Sequence, residues 1–137
     1  MKYKHIFFDL DRTLWDFEIN SHETLLELCN TYKLNAIGVD DYEGFIRTYK
    51  NHNDKLWDLY RVDKISQKDL RRERFQRSLA DYNIEDPILA ERIGEDYIDV
   101  CPRKNKLYPH AIEVLDYLKE RYELHIITNG FDKTQHI

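Results

Sequence analysis

Two short apolar segments stand out in a chain that is otherwise patterned for helices. Ile6–Leu10 and Leu124–Thr128 are too short for helices and predict two buried strands. Apolar residues recur at helical spacing between Asn20 and Val100, and again after Pro109. The pattern predicts an α/β fold in the order strand, four helices, helix and strand.

Local capping signals mark where several of the predicted helices begin. Asn20 followed three residues later by Glu23 resembles a capping box. Ser66 and Asp69 repeat that spacing further along the chain. Asp86-Pro87 combines a favoured N-cap residue with proline at the first helical position. Each signal predicts a helix start at that point.

The helical stretch is too long to be a simple connection between the two strands. A crossover between parallel strands needs only about a dozen residues. We therefore predict that residues 19–100 form an inserted four-helix cap, and that residues 1–18 and 101–137 form an α/β core. Within the cap, the charged run Arg71–Arg74 is interpreted as a solvated helix face.

Composition argues against several classes of function. The 137 residues carry a net charge of −5, which disfavours binding to a nucleic acid polymer. Apolar runs of only a few residues do not predict a membrane span. Cys29 and Cys101 are the only cysteines, and the N-terminus reaches charged residues too early for a signal peptide. The expectation is a cytoplasmic protein with reduced thiols.

Polar side chains follow both predicted strands, at the strand ends where α/β sheets gather their ligands. Asp9 and Asp11 come at the end of the first strand, and Thr128 and Asn129 at the end of the second. One carboxylate can attack an electrophile while the other transfers a proton. A hard cation such as Mg²⁺ would relieve their mutual repulsion. The hydroxyl and amide groups suit an anion, so the residues predict a magnesium-dependent site for a phosphoryl group.

The segment Asp9–Leu14, with the sequence DLDRTL, resembles the first motif, DxDx[TV][LV], of the haloacid dehalogenase (HAD) superfamily. Ile126–Gly130, with the sequence IITNG, resembles the second motif, an apolar strand that ends in threonine or serine. The motif order and the helical insertion also match, so the resemblance covers the whole chain. It implies a HAD-like Rossmannoid core, incomplete and with two strands, that carries an inserted four-helix cap.

The resemblance also implies a role for each motif residue. Asp9 would be the nucleophile that forms an aspartyl-phosphate, and Asp11 would protonate the leaving oxygen and later activate water. The Asp9 carboxylate and the Asp11 backbone carbonyl would bind Mg²⁺. Thr128 would hydrogen-bond the transferring phosphoryl group, with Asn129 beside it. An acid at position 11 favours phosphoester hydrolysis over carbon–halogen cleavage, because a halide leaves without a proton.

Within the superfamily, the sequence looks most like the pyrimidine 5′-nucleotidases that remove non-canonical nucleotides. Phe8–Asp11, Asn53–Trp57 and Ile127–Phe131 carry this finer resemblance. It implies a small phosphorylated metabolite as substrate, specifically a nucleoside 5′-monophosphate, with Trp15 or Trp57 stacking on the base. A sugar-phosphate phosphatase or a phosphomutase is the alternative within the enzyme class.

Two further motifs of the superfamily, a lysine and an acidic pair, normally lie downstream of the second motif. Phe131–Ile137 contains only Lys133 and no acidic pair. The expectation is that this chain is the N-terminal part of a longer phosphatase, with little or no activity alone. The alternative from another class is a non-catalytic fragment that self-associates through exposed sheet edges.

Overall fold

The computed structural model of the protein describes residues 2–137 and follows the predicted order of elements. The strands are β1 (His5–Asp9) and β2 (Glu123–Ile127). The α-helices are α1 (Phe17–Thr31), α2 (Tyr42–Arg61), α3 (Gln67–Ala80), α4 (Pro87–Val100), α5 (Ala111–Lys119) and α6 (Asp132–Gln135). Short 3-10 helices cover Leu34–Ile37 and Cys101–Arg103. Within residues 2–137, none of the helices has the length and apolar character needed to cross a membrane.

The chain divides into two compact units. One unit contains the residues up to Ser21 together with Cys101–Ile137, and the other contains His22–Val100. The first holds both strands and is called the α/β unit below. The second holds α2, α3 and α4 and is called the helical unit. The assignment of residues 19–100 as a cap, and of 1–18 with 101–137 as a core, stays a prediction.

A parallel pair of strands organises the α/β unit. The pairing runs in register from His5 opposite Glu123 to Asp9 opposite Ile127. Helix α5 contacts β2, which is the helix-on-sheet packing of an α/β fold. The predicted fold class is therefore confirmed. The register also brings the carboxyl ends of both strands to the same edge of the sheet.

The first helix begins before its predicted cap. Helix α1 starts at Phe17, and the Asp16 carboxylate accepts a hydrogen bond from the backbone N–H of Ile19 at 3.1 Å. Asp16 therefore caps the helix. Asn20 is fully buried, and its side-chain amide donates to the Lys106 carbonyl at 2.9 Å and accepts from the Lys106 N–H at 3.2 Å. The predicted capping box at Asn20 is wrong, because this side chain binds a distant backbone segment.

The helical unit is built on contacts of α3 with α2 and with α4. Tyr49, Phe75 and Tyr97, one from each helix, form an aromatic cluster with ring centroids 4.7 to 5.7 Å apart. Arg74 is buried, and its guanidinium lies 4.8 Å from the Tyr97 ring centroid, a cation–π distance. The interpretation of Arg71–Arg74 as a solvated face is therefore wrong at Arg74, because a neighbouring helix covers it.

Two other predicted helix starts are confirmed by their hydrogen bonds. The Ser66 hydroxyl accepts from the Asp69 N–H at 3.1 Å, and the Asp69 carboxylate accepts from the Ser66 N–H at 3.3 Å. This reciprocal pair is the capping box of α3. The Asp86 carboxylate accepts from the Leu89 N–H at 2.9 Å, and Pro87 is the first residue of α4.

Candidate active site

The loop after β1 folds back tightly on itself. The Leu10 carbonyl accepts hydrogen bonds from the N–H groups of Thr13 and Trp15, at 3.3 and 3.0 Å. Arg12 has a φ of 65°, in the left-handed region that costs a non-glycine residue roughly 1–2 kcal/mol. This turn carries the Thr13 hydroxyl back to Asp9, where it donates to Oδ2 at 2.7 Å. One carboxylate oxygen of Asp9 is therefore fixed by the loop.

The two predicted polar clusters lie at the same end of the sheet. Asp9 is the last residue of β1 and pairs in register with Ile127. Thr128 and Asn129 follow directly after that register partner. Thr128 is half-buried, Asn129 is exposed, and the Thr128 hydroxyl accepts from the Gly130 N–H at 3.2 Å. The fold thus places a hydroxyl and an amide side chain directly after Ile127, the residue that pairs with Asp9.

The two aspartates lie in different environments. Asp9 is exposed, whereas Asp11 is half-buried. Burial is the largest cause that raises the pKa of the Asp11 carboxyl above its ordinary value of 3.8. A hydrogen bond with Gln135 lowers this pKa in part, the negative charge of Asp9 raises it, and the positive charge of Arg12 lowers it. At a given pH, the net upward shift leaves more of Asp11 protonated than an unperturbed aspartate would be, which is consistent with its predicted role as proton donor.

Gln135 is a site residue that the sequence patterns missed. It is the last residue of α6, and its side chain hydrogen-bonds Asp11. Gly130 lies directly against it, because a Cβ at position 130 would collide with the Gln135 amide. A lone glutamine in a polar segment matches no local motif, and its partner lies near the other end of the chain. No signal in the sequence could have identified this contact.

The donor set at the strand ends fits a hard cation. It contains the carboxylate oxygens of Asp9 and the backbone carbonyl oxygen of Asp11. Among residues 2–137, the backbone carbonyl of Asp11 accepts no backbone hydrogen bond, so its lone pairs are available. Mg²⁺ prefers oxygen ligands of this kind. A cation would also offset the repulsion by which Asp9 raises the pKa of Asp11.

The two tryptophans predicted to contact substrate belong to different units. Trp15 lies in the α/β unit, where its indole N–H donates to the Lys104 carbonyl at 2.8 Å. This bond ties the loop after β1 to the segment before α5. Trp57 is a half-buried residue of the helical unit, and its ring lies edge-on to Tyr60 with centroids 5.5 Å apart. Substrate contact by Trp15 or Trp57 stays a prediction.

The class of the protein follows from a match over nearly its whole length. Residues 3–136 match the family of haloacid dehalogenase-like hydrolases. The match includes both strand-end motifs, Asp9–Leu14 and Ile126–Gly130. The chain therefore belongs to this hydrolase family, and the predicted resemblance is confirmed.

Two pyrimidine 5′-nucleotidases are similar in sequence to nearly the whole of this chain. The pyrimidine 5′-nucleotidase PynA of Streptococcus pneumoniae is 33% identical over 98% of this chain and 54% of its own length. The pyrimidine 5′-nucleotidase YjjG of Escherichia coli is 28% identical over 100% of this chain and 56% of that protein. The chain thus spans about half the length of the curated relatives it matches.

Solved structures show the same fold. The magnesium-bound crystal structure of the HAD-hydrolase YfnB from Bacillus subtilis superposes with a TM-score of 0.86 at 23% identity, covering 99% of this chain and 57% of that one. A 2-haloacid dehalogenase from Pseudomonas syringae superposes with a TM-score of 0.51 at 21% identity, covering 98% of this chain and 59% of that one.

Proposed function

We propose that the chain carries the nucleophile-bearing part of a magnesium-dependent phosphomonoesterase that acts on a small phosphorylated metabolite. The observation that carries this proposal is the unlike pair of carboxyl groups after β1. Asp9 is exposed and bound by Thr13, whereas Asp11 is half-buried with a raised pKa. Two carboxyl groups in unlike environments can divide the roles of nucleophile and acid between them.

In the first step, Asp9 acts as the nucleophile. The hydrogen bond from Thr13 holds Oδ2 and leaves Oδ1 as the attacking oxygen. A bond forms between Oδ1 and phosphorus, and the bond from phosphorus to the ester oxygen breaks. Protonated Asp11 gives its proton to that leaving oxygen, so the product departs as an alcohol. Asp9 is left as an aspartyl-phosphate, and Thr128 is the candidate donor to its phosphoryl oxygens.

In the second step, Asp11 acts as the base. Its carboxylate takes a proton from water, and the water oxygen attacks phosphorus. The acyl-phosphate bond breaks, inorganic phosphate leaves, and Asp9 returns to its carboxylate form. Asp11 is protonated again, so the cycle balances. Gln135 hydrogen-bonds Asp11 and would keep this carboxyl oriented through both steps.

Mg²⁺ is the proposed cofactor of this site. When bound, it would neutralise negative charge on the phosphoryl oxygens and on the carboxylates. The Asp9 carboxylate and the Asp11 backbone carbonyl would hold it. The fold shared with the magnesium-bound YfnB structure supports this proposal.

We further propose a nucleoside 5′-monophosphate as the substrate. The support is that PynA and YjjG, which match nearly all of this chain, are pyrimidine 5′-nucleotidases. Trp15 and Trp57 are the candidates for stacking on the base. A sugar phosphate is the alternative substrate, and an assay on both classes separates them.

Phosphate release from a panel of pyrimidine and purine 5′-monophosphates and sugar phosphates tests the proposal. We expect slow release that requires Mg²⁺, stops with a chelator, and is fastest with a pyrimidine nucleotide. Asp9→Asn removes the nucleophile and should lower the rate by at least about 10³-fold. The matched control is Asp116→Asn, which removes an exposed carboxylate that pairs with Lys119 in α5 at 2.6 Å.

The control variant should keep the full rate. Release that persists unchanged in Asp9→Asn would place the chemistry elsewhere. No magnesium-dependent release from any member of the panel would also contradict the proposal for this chain.

A non-catalytic, self-associating module is the second candidate, and the exposure of the sheet favours it. Phe7, Ile126 and Ile127 are 62%, 59% and 61% exposed. Phe7 and Ile126 lie on opposite faces, because Phe7 pairs in register with the neighbour of Ile126. Exposed apolar surface of this kind marks interaction sites. Light scattering that finds dimers in the wild type and monomers in Phe7→Ser, without phosphate release in either, would favour this candidate.

A further inference from the structure

A second cluster of metal-ligating side chains lies at the opposite end of the sheet from Asp9. His5 begins β1, its register partner Glu123 begins β2, and His125 lies two residues further along β2. Register partners and alternate residues share one face of a sheet, so the three side chains lie on the same face. His5 is four residues from Asp9, about 13 Å at a rise of about 3.3 Å per residue. The cluster is therefore separate from the strand-end carboxylates.

Two of the three distances between ligand atoms in the cluster are close to those around a tetrahedral ion. His5 Nδ1 lies 3.1 Å from His125 Nε2 and 3.1 Å from Glu123 Oε2. The three ligand atoms, one from each residue, all lie within 4.8 Å of one another. Around Zn²⁺ with bonds of about 2.0–2.1 Å, tetrahedral ligand atoms are about 3.3–3.4 Å apart. The Glu123 side chain is exposed, so no packing opposes its adjustment toward a bound ion.

The three ligand atoms that face one another carry more lone pairs than hydrogens. If His5 Nδ1 carries a hydrogen, that single hydrogen is shared between two acceptors, His125 Nε2 and Glu123 Oε2. If His5 Nδ1 carries none, its lone pair faces the carboxylate oxygen of Glu123. Neither tautomer lets the three atoms satisfy one another. A cation between them would accept a lone pair from each.

A neighbouring ring and the strand register hold the ligands in place. Phe7 stacks on His125 with ring centroids 4.7 Å apart and an interplanar angle of 21°. This stacking restricts rotation of the imidazole. His5 and Glu123 are directly opposite each other in the parallel ladder. Sites built on strands are held more precisely than sites on loops.

We propose that His5, Glu123 and His125 form a binding site for a divalent transition metal of the Zn²⁺ type. Two imidazoles and one carboxylate suit Zn²⁺, whereas Mg²⁺ prefers an all-oxygen set. Three protein ligands leave a fourth position for water. Because His5 comes from β1 and the other two ligands come from β2, a bound ion links the two strands.

Calorimetric titration of the whole chain with ZnCl₂, in excess MgCl₂, tests this site. The Mg²⁺ competes for oxygen-ligand sites, and substitutions in the cluster show how much of the remaining Zn²⁺ binding belongs to it. We expect one Zn²⁺ per chain. His5→Gln and Glu123→Gln each remove one ligand, and each should weaken binding beyond the roughly 10–100-fold typical of changes to outer-shell partners. Zn²⁺ should also raise the melting temperature of the wild type more than that of either variant.

The matched control is His22→Gln, which removes a histidine that pairs with Glu43 at 2.9 Å in the helical unit. It should bind Zn²⁺ as the wild type does. Circular dichroism of each variant checks that the fold is intact. The proposal is overturned if folded His5→Gln or Glu123→Gln binds Zn²⁺ as tightly as the wild type. It is also overturned if His22→Gln loses as much affinity as they do.

Discussion

The helical unit and the α/β unit differ in how much apolar surface they bury. Phe45 and Phe75 of the helical unit are 1% and 0% exposed. Phe7 and Ile126, on the sheet of the α/β unit, are 62% and 59% exposed. Packing between helices therefore gives the helical unit its own core, whereas the two-stranded sheet has little core of its own.

Polar contacts between segments that are distant in sequence also hold the α/β unit together. Asn20 binds the backbone N–H and the carbonyl of Lys106. Trp15 donates to the carbonyl of Lys104. These bonds anchor the loop that carries the candidate site. The helical unit thus supplies buried apolar area, whereas the α/β unit supplies positioned polar groups at the strand ends.

Of the substitutions considered, one at Asp11 in the α/β unit should change the measured rate most. Asp11→Asn removes the proposed acid and base, so the rate of phosphate release should fall by about 10²- to 10⁴-fold. Because burial raises the pKa of Asp11, the wild-type rate of the first step should decline once the pH exceeds that raised value. This decline should vanish in the variant. Rates measured across pH, with Asp116→Asn as control, check both points, and an unchanged rate in Asp11→Asn would refute the role.

A pair of matched substitutions tests the difference between the two cores. Phe75→Ala should lower the free energy of unfolding by about 3–5 kcal/mol, because it opens a cavity among the rings around Tyr49. Phe7→Ala removes the same atoms from an exposed site and should change that free energy by only about 0.5 kcal/mol. Urea unfolding followed by circular dichroism measures both. Equal losses would show that the sheet is as well packed as the helices.

Removing one of the polar contacts that anchor the α/β unit is expected to have an intermediate effect on the free energy of unfolding. Asn20→Ala removes the acceptor of the Lys106 N–H, at a cost of about 1–3 kcal/mol, while the Lys106 carbonyl keeps its hydrogen bond from the Asp16 N–H at 2.9 Å. The control is Asn30→Ala, because Asn30 is exposed and bonds only locally to the Leu26 carbonyl at 3.0 Å. Hydrogen exchange should show faster opening at Lys106 in Asn20→Ala alone. The anchor would be refuted if Asn30→Ala destabilised the chain as much.

The smallest expected effect is at the capping box of α3. Ser66→Ala should cost about 1 kcal/mol, because the Asp69 N–H loses its acceptor. The hydrogen bonds of Ser66 lower the pKa of Asp69 below its ordinary value of 3.8. The wild type should therefore lose this contribution as the pH falls below 3.8, and Ser66→Ala should lose less. Acid unfolding curves of the two proteins measure the difference, and identical curves would exclude this pH effect.

Local contacts of the fold could be predicted from the sequence, and distant ones could not. Ser66 and Asp69 lie within one helical turn, so their spacing alone predicts the capping box. Asn20 has the residue type of a cap, yet its partners lie 86 residues away. Arg74 looks solvated in a charged run, but a neighbouring helix covers it.

The same distinction applies to the candidate site. Asp9 and Asp11 lie together in one short segment. The residues that flank each strand in the sequence are enough to identify where that strand ends. The hydrogen bond between Gln135 and Asp11 joins the two ends of the chain. Only the parallel pairing of β1 with β2 brings these ends together, and no spacing in the sequence encodes that contact.

Mass spectrometry of an acid-quenched reaction tests directly whether Asp9 is the nucleophile that becomes phosphorylated. Asp11→Asn is the variant to use, because it lacks the base that would activate water against an aspartyl-phosphate. An aryl phosphate is the substrate, because its leaving group needs no proton. We expect one phosphoryl group on the peptide that contains Asp9, absent without Mg²⁺ and absent when Asp9 is also changed to Asn. A phosphoryl group on another residue, or none on Asp9 while phosphate is released, would contradict this expectation.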